Sequence, residues 1–291
     1  MKPLVKIACS LLVAELALPV AMAEPADTDM TVLRPALSMF TLNYGSASLR
    51  DSYLSPLTYG GSSLALGYEH FQATGFNPLH YVRQLQVELD YAHVTNRVGN
   101  HAMQSLMVGG QWSLMRRWQA VPFSHSQLMV GPMALMRGGA IYKPTNSNNI
   151  VALRMQAAVG VQAMAVYNTS LFHNPLSLRY ECTLPVMGAF FSPDYDEAYY
   201  EIYVGNHKGL AHVGWWGNRF DFRHSLTADW QLGATIVRLG YRGGFETSWV
   251  SHIATRHSTH SLVVGVGGNF LSLSPKKKLS TGARLVSAQY E

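Results

Sequence analysis

The stretch RQLQVELDYAHVTN, residues Arg83–Asn96, alternates apolar and polar residues over almost its whole length. Successive side chains of an extended strand point to opposite faces. Leu85, Val87 and Leu89 therefore share one face, and the polar residues between them share the other. A soluble β-sandwich would turn the apolar face inward, whereas a membrane barrel turns it to lipid. The stretch predicts a strand and leaves both architectures open.

The N-terminal residues predict export from the cytoplasm. Residues 1–23 carry Lys2 and Lys6 near the start, continue through an apolar run and end in Ala-Met-Ala. This is the pattern of a secretory signal peptide cleaved after Ala23. The apolar run contains Glu15 and is shorter than the roughly 20 residues of a membrane helix. Cleavage leaves Cys182 as the single cysteine, so no intramolecular disulfide can form. We expect residues 24–35 to be a periplasmic segment.

The composition favours contact with lipid over contact with nucleic acid. The formal net charge is +5 and is spread evenly along the chain, which does not predict binding to a polyanion. Charged residues make up 13% of the chain, against roughly 25% in soluble domains. Aromatic residues make up 11%. Low charge with many aromatic residues is typical of a wall that contacts a membrane.

Alternating segments recur along the chain with turn residues between them. They predict about ten strands, starting near residues 36, 60, 82, 101, 125, 149, 174, 217, 233 and 258. About twelve strands stay possible, because residues 187–218 could hold an extra hairpin. We expect instead a long extracellular loop with a short helix from about Ser192 to Tyr203. The sequence thus predicts an all-β, antiparallel, up-and-down transmembrane barrel over residues 36–272 and a basic periplasmic tail over residues 273–291.

The polar strand faces separate a barrel from a sandwich. They carry no lysine, and acidic residues and arginines occur on them in equal number. Arginine suits enclosed ion pairs because its planar guanidinium matches a carboxylate. We therefore expect a lumen filled by arginine–carboxylate pairs. The predicted inward residues are Glu69, Glu88, Asp90, Arg154, Arg179, Glu181, Arg219, Asp221, Arg223, Asp229, Arg238 and Arg242.

Four stretches carry a family resemblance. They are YLSPLTYGGSSLALGYEHF (Tyr53–Phe71), FFSPDYDEAYYEIYVGN (Phe190–Asn206), IVRLGYRGGFET and HSLVVGVGGNF. Together they resemble a family of uncharacterised outer-membrane β-barrels of Bacteroidota that is defined only as a domain of unknown function. The resemblance covers nearly all of the mature chain. It implies an integral outer-membrane barrel and implies no activity, cofactor or site residue.

The long loop is the best candidate for a binding surface. It is aromatic and is predicted to face outward, so we expect either a surface for an extracellular glycan, peptide or hydrophobic ligand, or a folded lid. Outer-membrane lipid is the other expected partner, and the oligomeric state is not predicted. The candidate surface consists of Tyr195, Tyr199, Tyr200, Tyr203, Trp215 and Trp216.

Two other functions stay open beside a structural or ligand-binding barrel. One is a small pore. Barrels of roughly 8 strands are filled by side chains and barrels of roughly 16 leave a channel, so a barrel of about ten to twelve strands is nearer the filled limit. The other is a hydrolase of the outer-membrane phospholipase type. His224 and Ser225 have suitable side chains but point to opposite faces of a strand, so they do not form a nucleophile and base. His252, His257 and His260 cluster in a predicted loop without zinc-site spacing, so we expect no metal and no cofactor.

Overall fold

The computed structural model describes residues 32–119, 125–146, 149–193, 204–205, 209–271 and 284–289. Residues 34–273 and 285–291 form one compact unit, which contains the barrel. Residues 1–33 and 274–284 form a second unit, in which Val32–Leu33 and Arg284 are described. The predicted signal peptide lies outside the described residues. In the part of the chain that is described, no helix is long and apolar enough to cross a membrane.

The described residues form thirteen strands. They are β1 (Val32–Leu33), β2 (Ala36–Asp51), β3 (Ser55–Ala73), β4 (Tyr81–Thr95), β5 (Ala102–Gln119), β6 (Ser126–Tyr142), β7 (Val151–Leu171), β8 (Asn174–Phe191), β9 (Ala211–Trp215), β10 (Arg219–Leu232), β11 (Thr235–Val250), β12 (Ile253–Phe270) and β13 (Arg284–Leu285). Strands β2 to β8 and β10 to β12 form a closed antiparallel barrel of ten strands, in which β12 pairs with β2 and β8 pairs with β10. The predicted fold class and strand number are confirmed.

The strand register shows that the barrel strands are tilted. A path of directly paired residues that starts at Tyr44 and runs through β3 to β6 reaches Leu153 on β7. The path in the opposite direction, through β12, β11, β10 and β8, reaches Ala165 on the same strand, which is 165 − 153 = 12 residues away. Closing a sheet into a barrel requires such a stagger, with strands inclined by about 35–45° to the axis.

Two predicted features differ in detail from the structure. Strand β12 begins at Ile253, earlier than the predicted start. Residues 255–260 are polar on both faces and show no alternation, so the sequence pattern did not indicate this part of the strand. His257 and His260, predicted to lie in a loop, are therefore strand residues, while His252 lies in the β11–β12 turn with a φ of 64°. The predicted short helix falls mostly on residues 194–203, which lie outside the described residues.

Buried apolar clusters occupy both ends of the barrel. We call the end where β2 begins the lower end and the end where β2 finishes the upper end. Side chains pack tightly in both clusters and leave the polar residues between them. The lower cluster is Leu37, Met39, Phe71, Val82, Met115, Met129, Met164, Val166, Ile236 and Ala288, and the upper cluster is Ala47, Leu49, Leu54, Tyr59, Ala92, Val94, Met103, Ile141 and Ala152.

Residues 286–289 lie inside the lower end of the barrel. They belong to the segment that the sequence predicted to be a periplasmic tail. Arg117 donates hydrogen bonds to the Ser287 and Ala288 carbonyl oxygens at 2.9 and 3.0 Å, and the Gln289 amide donates to Asp229 Oδ2 at 3.0 Å. Ala288 and Gln289 are buried. We call residues 286–289 the inserted segment.

Candidate functional site

The outward surface of the barrel carries large exposed apolar side chains on every barrel strand. Leu66, Val108 and Leu239 are each more than half exposed, and Leu262 is 70% exposed. The charged side chains that face outward on the barrel strands are all arginines, and each lies within about three residues of a strand end, where long basic side chains reach polar surroundings. These arginines are Arg50, Arg83, Arg116 and Arg256.

A charged cluster in which every carboxylate oxygen is paired lies in the lower half of the lumen. Arg179 donates to both oxygens of Glu69 at 2.6 and 2.7 Å, and Arg238 also donates to Glu69 Oε2. Arg238 binds Asp229 through two further hydrogen bonds of 2.6 and 2.7 Å. All four side chains are buried. Every carboxylate oxygen in this group therefore has an arginine partner.

Three glutamines complete this group. Gln84 donates to Glu69 Oε1 at 2.6 Å and to Glu181 Oε2 at 3.2 Å. Gln162 donates to Glu181 Oε1 at 3.0 Å and to Gln84 Oε1, and Gln86 donates to Glu181 Oε1 at 2.9 Å. Buried charges are tolerated when neighbouring groups satisfy their remaining hydrogen bonds. We call this set the Glu69 cluster: Glu69, Gln84, Gln86, Gln162, Arg179, Glu181, Asp229 and Arg238.

A second charged cluster lies in the upper half of the lumen. The Arg137 guanidinium forms one ion pair with Asp90 at 2.8 Å and another with Glu246 at 3.2 Å. Arg219 donates to Glu246 Oε1. Arg219 also contacts Asp221 Oδ2 at 3.4 Å and donates to the Gln156 amide oxygen. Gln156 in turn donates to Asp221 Oδ2 at 2.6 Å. We call this set the Asp221 cluster: Asp90, Arg137, Gln156, Arg219, Asp221 and Glu246.

The Asp221 cluster contains two buried polar atoms that lack hydrogen-bond partners. They are Asp221 Oδ1 and Arg219 Nε. Asp221 is 3% exposed, and desolvating a carboxylate oxygen without a partner costs free energy. The upper cluster is therefore less completely paired than the Glu69 cluster.

The structure brings eleven of the twelve predicted lumen residues into ion pairs, including Arg242 with Glu88 and Arg154 with Asp51. Arg223 is the exception: it lines the lumen cavities and forms no ion pair within 4.0 Å among the described residues. The prediction that Arg223 pairs with a carboxylate is wrong. Its neighbours across the lumen include Arg242 and Arg137, and those arginines bind the available carboxylates.

Sequence reasoning missed three members of the ion pairs in the lumen, Asp51, Arg137 and Glu246. Glu246 could have been found, because it follows Arg238 and Arg242 at the even spacing that keeps residues on one strand face. Arg137 and Asp51 lie near glycines or a turn, where the alternation is weak.

Two cavities lie between the charged clusters. Each offers about 60 Å³ to the centres of water molecules, and Glu88, Arg223 and Arg242 line both. Roughly 10–15 Å³ of such space holds one water. The cavities therefore accommodate a few waters each and are much smaller than the bore of a wide porin.

The hydrogen-bonded wall has a gap between β8 and β10. The uppermost residue pair between β8 and β10 is Thr183 with Arg223, and the two strands are paired below it. The lowest residue pair between β8 and β9 is Met187 with Trp215, and those strands are paired above it. Residues 184–186 and 219–222 are not paired with each other. Pro185 contributes to the gap because proline has no backbone N–H to donate. We call this region the wall gap.

A rigid turn, residues 216–218, borders the wall gap. The Trp215 N–H donates to Asn218 Oδ1 at 2.9 Å, and Asn218 Nδ2 donates to the Val213 carbonyl at 2.8 Å. A Cβ atom at Gly217 would lie 2.2 Å from the Trp215 ring, so a larger residue there would displace that ring. The Trp216 indole donates to the Pro185 carbonyl at 2.8 Å.

The predicted aromatic surface is described only in part. Trp215 and Trp216 are 61% and 53% exposed and lie beside the wall gap. The other predicted members, Tyr195, Tyr199, Tyr200 and Tyr203, lie outside the described residues.

Several histidines of the described chain form aromatic or polar contacts. The His224 ring stacks on Phe222 with centroids 5.5 Å apart and lies 5.7 Å from Tyr241, and no hydrogen bond joins it to Ser225. Tyr241 also bonds the His260 ring at 2.6 Å. Within the described ranges, no three His, Cys, Asp or Glu side chains converge in a way that could hold a metal ion.

A family model described as "Protein of unknown function (DUF3316)" matches residues 7–277. The chain belongs to the DUF3316 family. This agrees with the predicted domain of unknown function, and the family description assigns no activity. No curated protein matches this DUF3316 chain.

Solved outer-membrane structures are similar to this DUF3316 chain at low TM-score. The outer-membrane protease OmpT from Escherichia coli has a TM-score of 0.46 and 7% identity, covering 82% of this chain and 97% of that one. The translocator domain of the autotransporter NalP from Neisseria meningitidis has a TM-score of 0.36 and 12% identity, covering 91% and 97%. An outer-membrane channel from Pseudomonas putida has a TM-score of 0.35 and 10% identity, covering 86% and 100%. None of these likenesses says what this chain does.

Proposed function

We propose that this DUF3316 protein is an integral outer-membrane barrel with a closed lumen, and that it has a structural or ligand-binding role. The observation that carries the proposal is the apolar outward face, whose charged residues are confined to the strand ends. A signal peptide at residues 1–23 and a Bacteroidota origin, which the sequence resemblance implies, are parts of the same proposal.

The outward face supports membrane insertion on energetic grounds. Soluble monomers rarely expose continuous apolar patches larger than a few hundred Å². In this protein, leucine or valine side chains are exposed on each of the ten barrel strands. In a membrane barrel, arginine at the bilayer midplane costs about 2–4 kcal/mol. Confinement of Arg50, Arg83, Arg116 and Arg256 to strand ends avoids that cost.

The lumen supports a closed barrel over a small pore. The lower and upper apolar clusters occupy its two ends, and the Glu69 cluster fills the space between strands near the lower end. The inserted segment adds backbone and side-chain bonds at the lower end. Expected partners are outer-membrane lipid and, at the upper rim, a glycan, peptide or hydrophobic ligand.

Face-specific labelling tests the proposal. In a Cys182→Ser background, single cysteines at positions 85, 87 and 89, and then at 86, 88 and 90, carry an environment-sensitive dye in bilayers. We expect a lipid-soluble quencher to reach only the odd set, because those side chains face lipid. Quenching of the odd set by a water-soluble quencher would contradict membrane insertion.

Two further measurements complete this test. Fractionation of cells should place the protein with the outer membrane, with heat-modifiable migration on gels because each of the ten barrel strands pairs with two neighbours. In planar bilayers we expect little or no conductance. Stable, large conductance steps from the wild-type chain would contradict the closed lumen.

A further inference from the structure

The wall gap connects the outward surface of the barrel with the Asp221 cluster. On the outside, Met187 and Trp215 are 56% and 61% exposed. On the inside, the same cavity is lined by Gln156, Arg219 and the buried Asp221. A continuous ladder of backbone hydrogen bonds would separate the two sides, and here residues 184–186 and 219–222 form none with each other.

Two residues that line the inner side of the gap, Asp221 and Arg219, carry one unused acceptor and one unused donor. Gln156 and Arg219 occupy Asp221 Oδ2, while Asp221 Oδ1 has no partner. The Nη2 atom of Arg219 contacts Gln156, Glu246 and Asp221, while its Nε has no partner. Both atoms are buried, so bulk water does not compensate for the missing bonds.

We propose that the wall gap binds the hydroxyl head group of a single-chain amphiphile that enters from the membrane. A hydroxyl has one O–H donor and two acceptor lone pairs, so it can donate to Asp221 Oδ1 and accept from Arg219 Nε. The cavity offers about 20 Å³ to the centres of water-sized groups, which is room for the head group alone. The alkyl chain lies outside, against Met187 and Trp215.

Other head groups fit this pair of atoms less well. A carboxylate carries the same charge as Asp221 and has no proton to donate. An ammonium donates to Asp221 Oδ1 but has no lone pair for Arg219 Nε. An alkane satisfies neither atom. The chemistry of the gap therefore selects an uncharged hydroxyl, and this inference rests on the proposed insertion of the barrel in a membrane.

The border of the gap is held in place before any ligand binds. Asn218 is hydrogen-bonded to β11 and β9, since its carbonyl accepts from the Trp249 N–H at 2.7 Å and its amide donates to the Val213 carbonyl. The Trp216 indole is fixed on the Pro185 carbonyl. A site that is already ordered loses little conformational entropy on binding.

Photo-crosslinking in phosphatidylcholine vesicles tests the site. The probe is hexadecanol with a diazirine in the middle of its chain, and the control probe is its methyl ether, which cannot donate. We expect adducts on residues 185–190 and 213–216, at a level at least about tenfold higher for the alcohol, because one hydrogen bond to a charged group is lost in the ether. Hexadecanol should compete with the probe, and hexadecane should not.

Matched variants sharpen the test. Met187→Trp fills the outer mouth of the gap and should abolish these adducts, whereas Met136→Trp changes an equally outward methionine on β6 and should leave them unchanged. Asp221→Asn replaces the free acceptor by an amide donor and should remove the preference for the alcohol. Equal labelling by alcohol and ether in the wild type, as expected if the gap holds only a water molecule, would overturn the proposal. So would adducts spread evenly over the barrel, or equal labelling of the two tryptophan variants.

The same vesicles separate this inference from the proposed function. Each sample is also extracted with alkaline carbonate and run with and without boiling. Protein that resists extraction but shows no alcohol-specific adduct contradicts the site alone. Wild-type protein that is extracted from the vesicles contradicts membrane insertion, and with it both proposals.

Discussion

The Glu69 cluster and the Asp221 cluster are built from the same residue types and differ in how completely these residues are paired. In the lower cluster both oxygens of Glu69 and both oxygens of Asp229 accept from arginine. In the upper cluster Asp221 keeps one oxygen without a partner, and Arg223 nearby has no ion pair. Arg179 and Arg219 each keep an Nε atom without a partner, so the clusters differ in their carboxylates. Pairing of every carboxylate oxygen stabilises the barrel, whereas the unpartnered oxygen of Asp221 beside the wall gap is available to a ligand.

The largest effect should come from Glu69→Gln. An amide has one oxygen and one nitrogen, so its NH₂ group faces Arg179 in either orientation, and Arg238 as well in one of them, and donors then oppose each other. Breaking a buried ion pair costs about 3–5 kcal/mol. The free energy of unfolding in detergent, measured by urea titration with gel migration as the readout, should fall by that amount. Wild-type stability for this variant would contradict the view that the lower cluster is structural.

A smaller effect should follow from Gln84→Leu. This change keeps the volume of the side chain but removes two donors, one to Glu69 and one to Glu181, and the acceptor that Gln162 uses. Buried partners left unsatisfied cost about 1–3 kcal/mol. The same urea titration measures the loss. A double-mutant cycle with Glu69→Gln should show strong coupling, because the two residues share one network. Additive losses of unfolding free energy would contradict an energetic interaction between Gln84 and Glu69.

The isosteric change in the upper cluster, Asp221→Asn, should cost about 1 kcal/mol or less. The amide oxygen can take the place of Oδ2 and keep the bonds from Gln156 and Arg219, while the amide nitrogen takes the unpartnered position of Oδ1. It is the matched counterpart of Glu69→Gln. If thermal unfolding showed equal losses for the two variants, the difference in pairing between the clusters would have no energetic consequence.

The smallest effect should come from Arg223→Ala. Its side chain faces cavities and leaves no carboxylate unpaired when removed, since Glu88 keeps Arg242 and Asp221 keeps Arg219. We expect a change in unfolding free energy within about 0.5 kcal/mol, as for a typical surface substitution. Arg238→Ala, which removes the partner of both Glu69 and Asp229, is the control and should be far more damaging. A comparable loss in both variants would contradict the assignment of Arg223.

Alternation in the sequence predicted much of the fold and of the lumen. A period of two assigns Glu88 and Asp90 to one face and Leu89 to the other without any knowledge of neighbouring strands. Recurrence of that pattern with turn residues between segments gave ten strands. These are local properties of single strands, so a single sequence contains them.

Pairing across the lumen could not be predicted in the same way. Arg223 and Arg219 have the same residue type and the same strand face, yet only Arg219 has carboxylates within reach. The difference depends on the register between β10 and β11, which pairs Asp221 with Glu246, and on the closure of the barrel, which brings Arg137 of β6 to Glu246. The wall gap had a weak signal in Pro185, a residue that interior strand positions disfavour. The inserted segment had none, because it does not alternate.

The inserted segment has a consequence for the order of folding. Its hydrogen bonds reach Arg117 on β5, Asn168 on β7 and Asp229 on β10, three strands from separate hairpins. These residues are far apart along the chain and become neighbours only when the sheet has curled round on itself. The segment should thus gain its protection from proteolysis last, after the gel migration of the folded form has developed. The time at which the Ser287–Ala288 bond becomes resistant to cleavage would then report when closure of the barrel is complete.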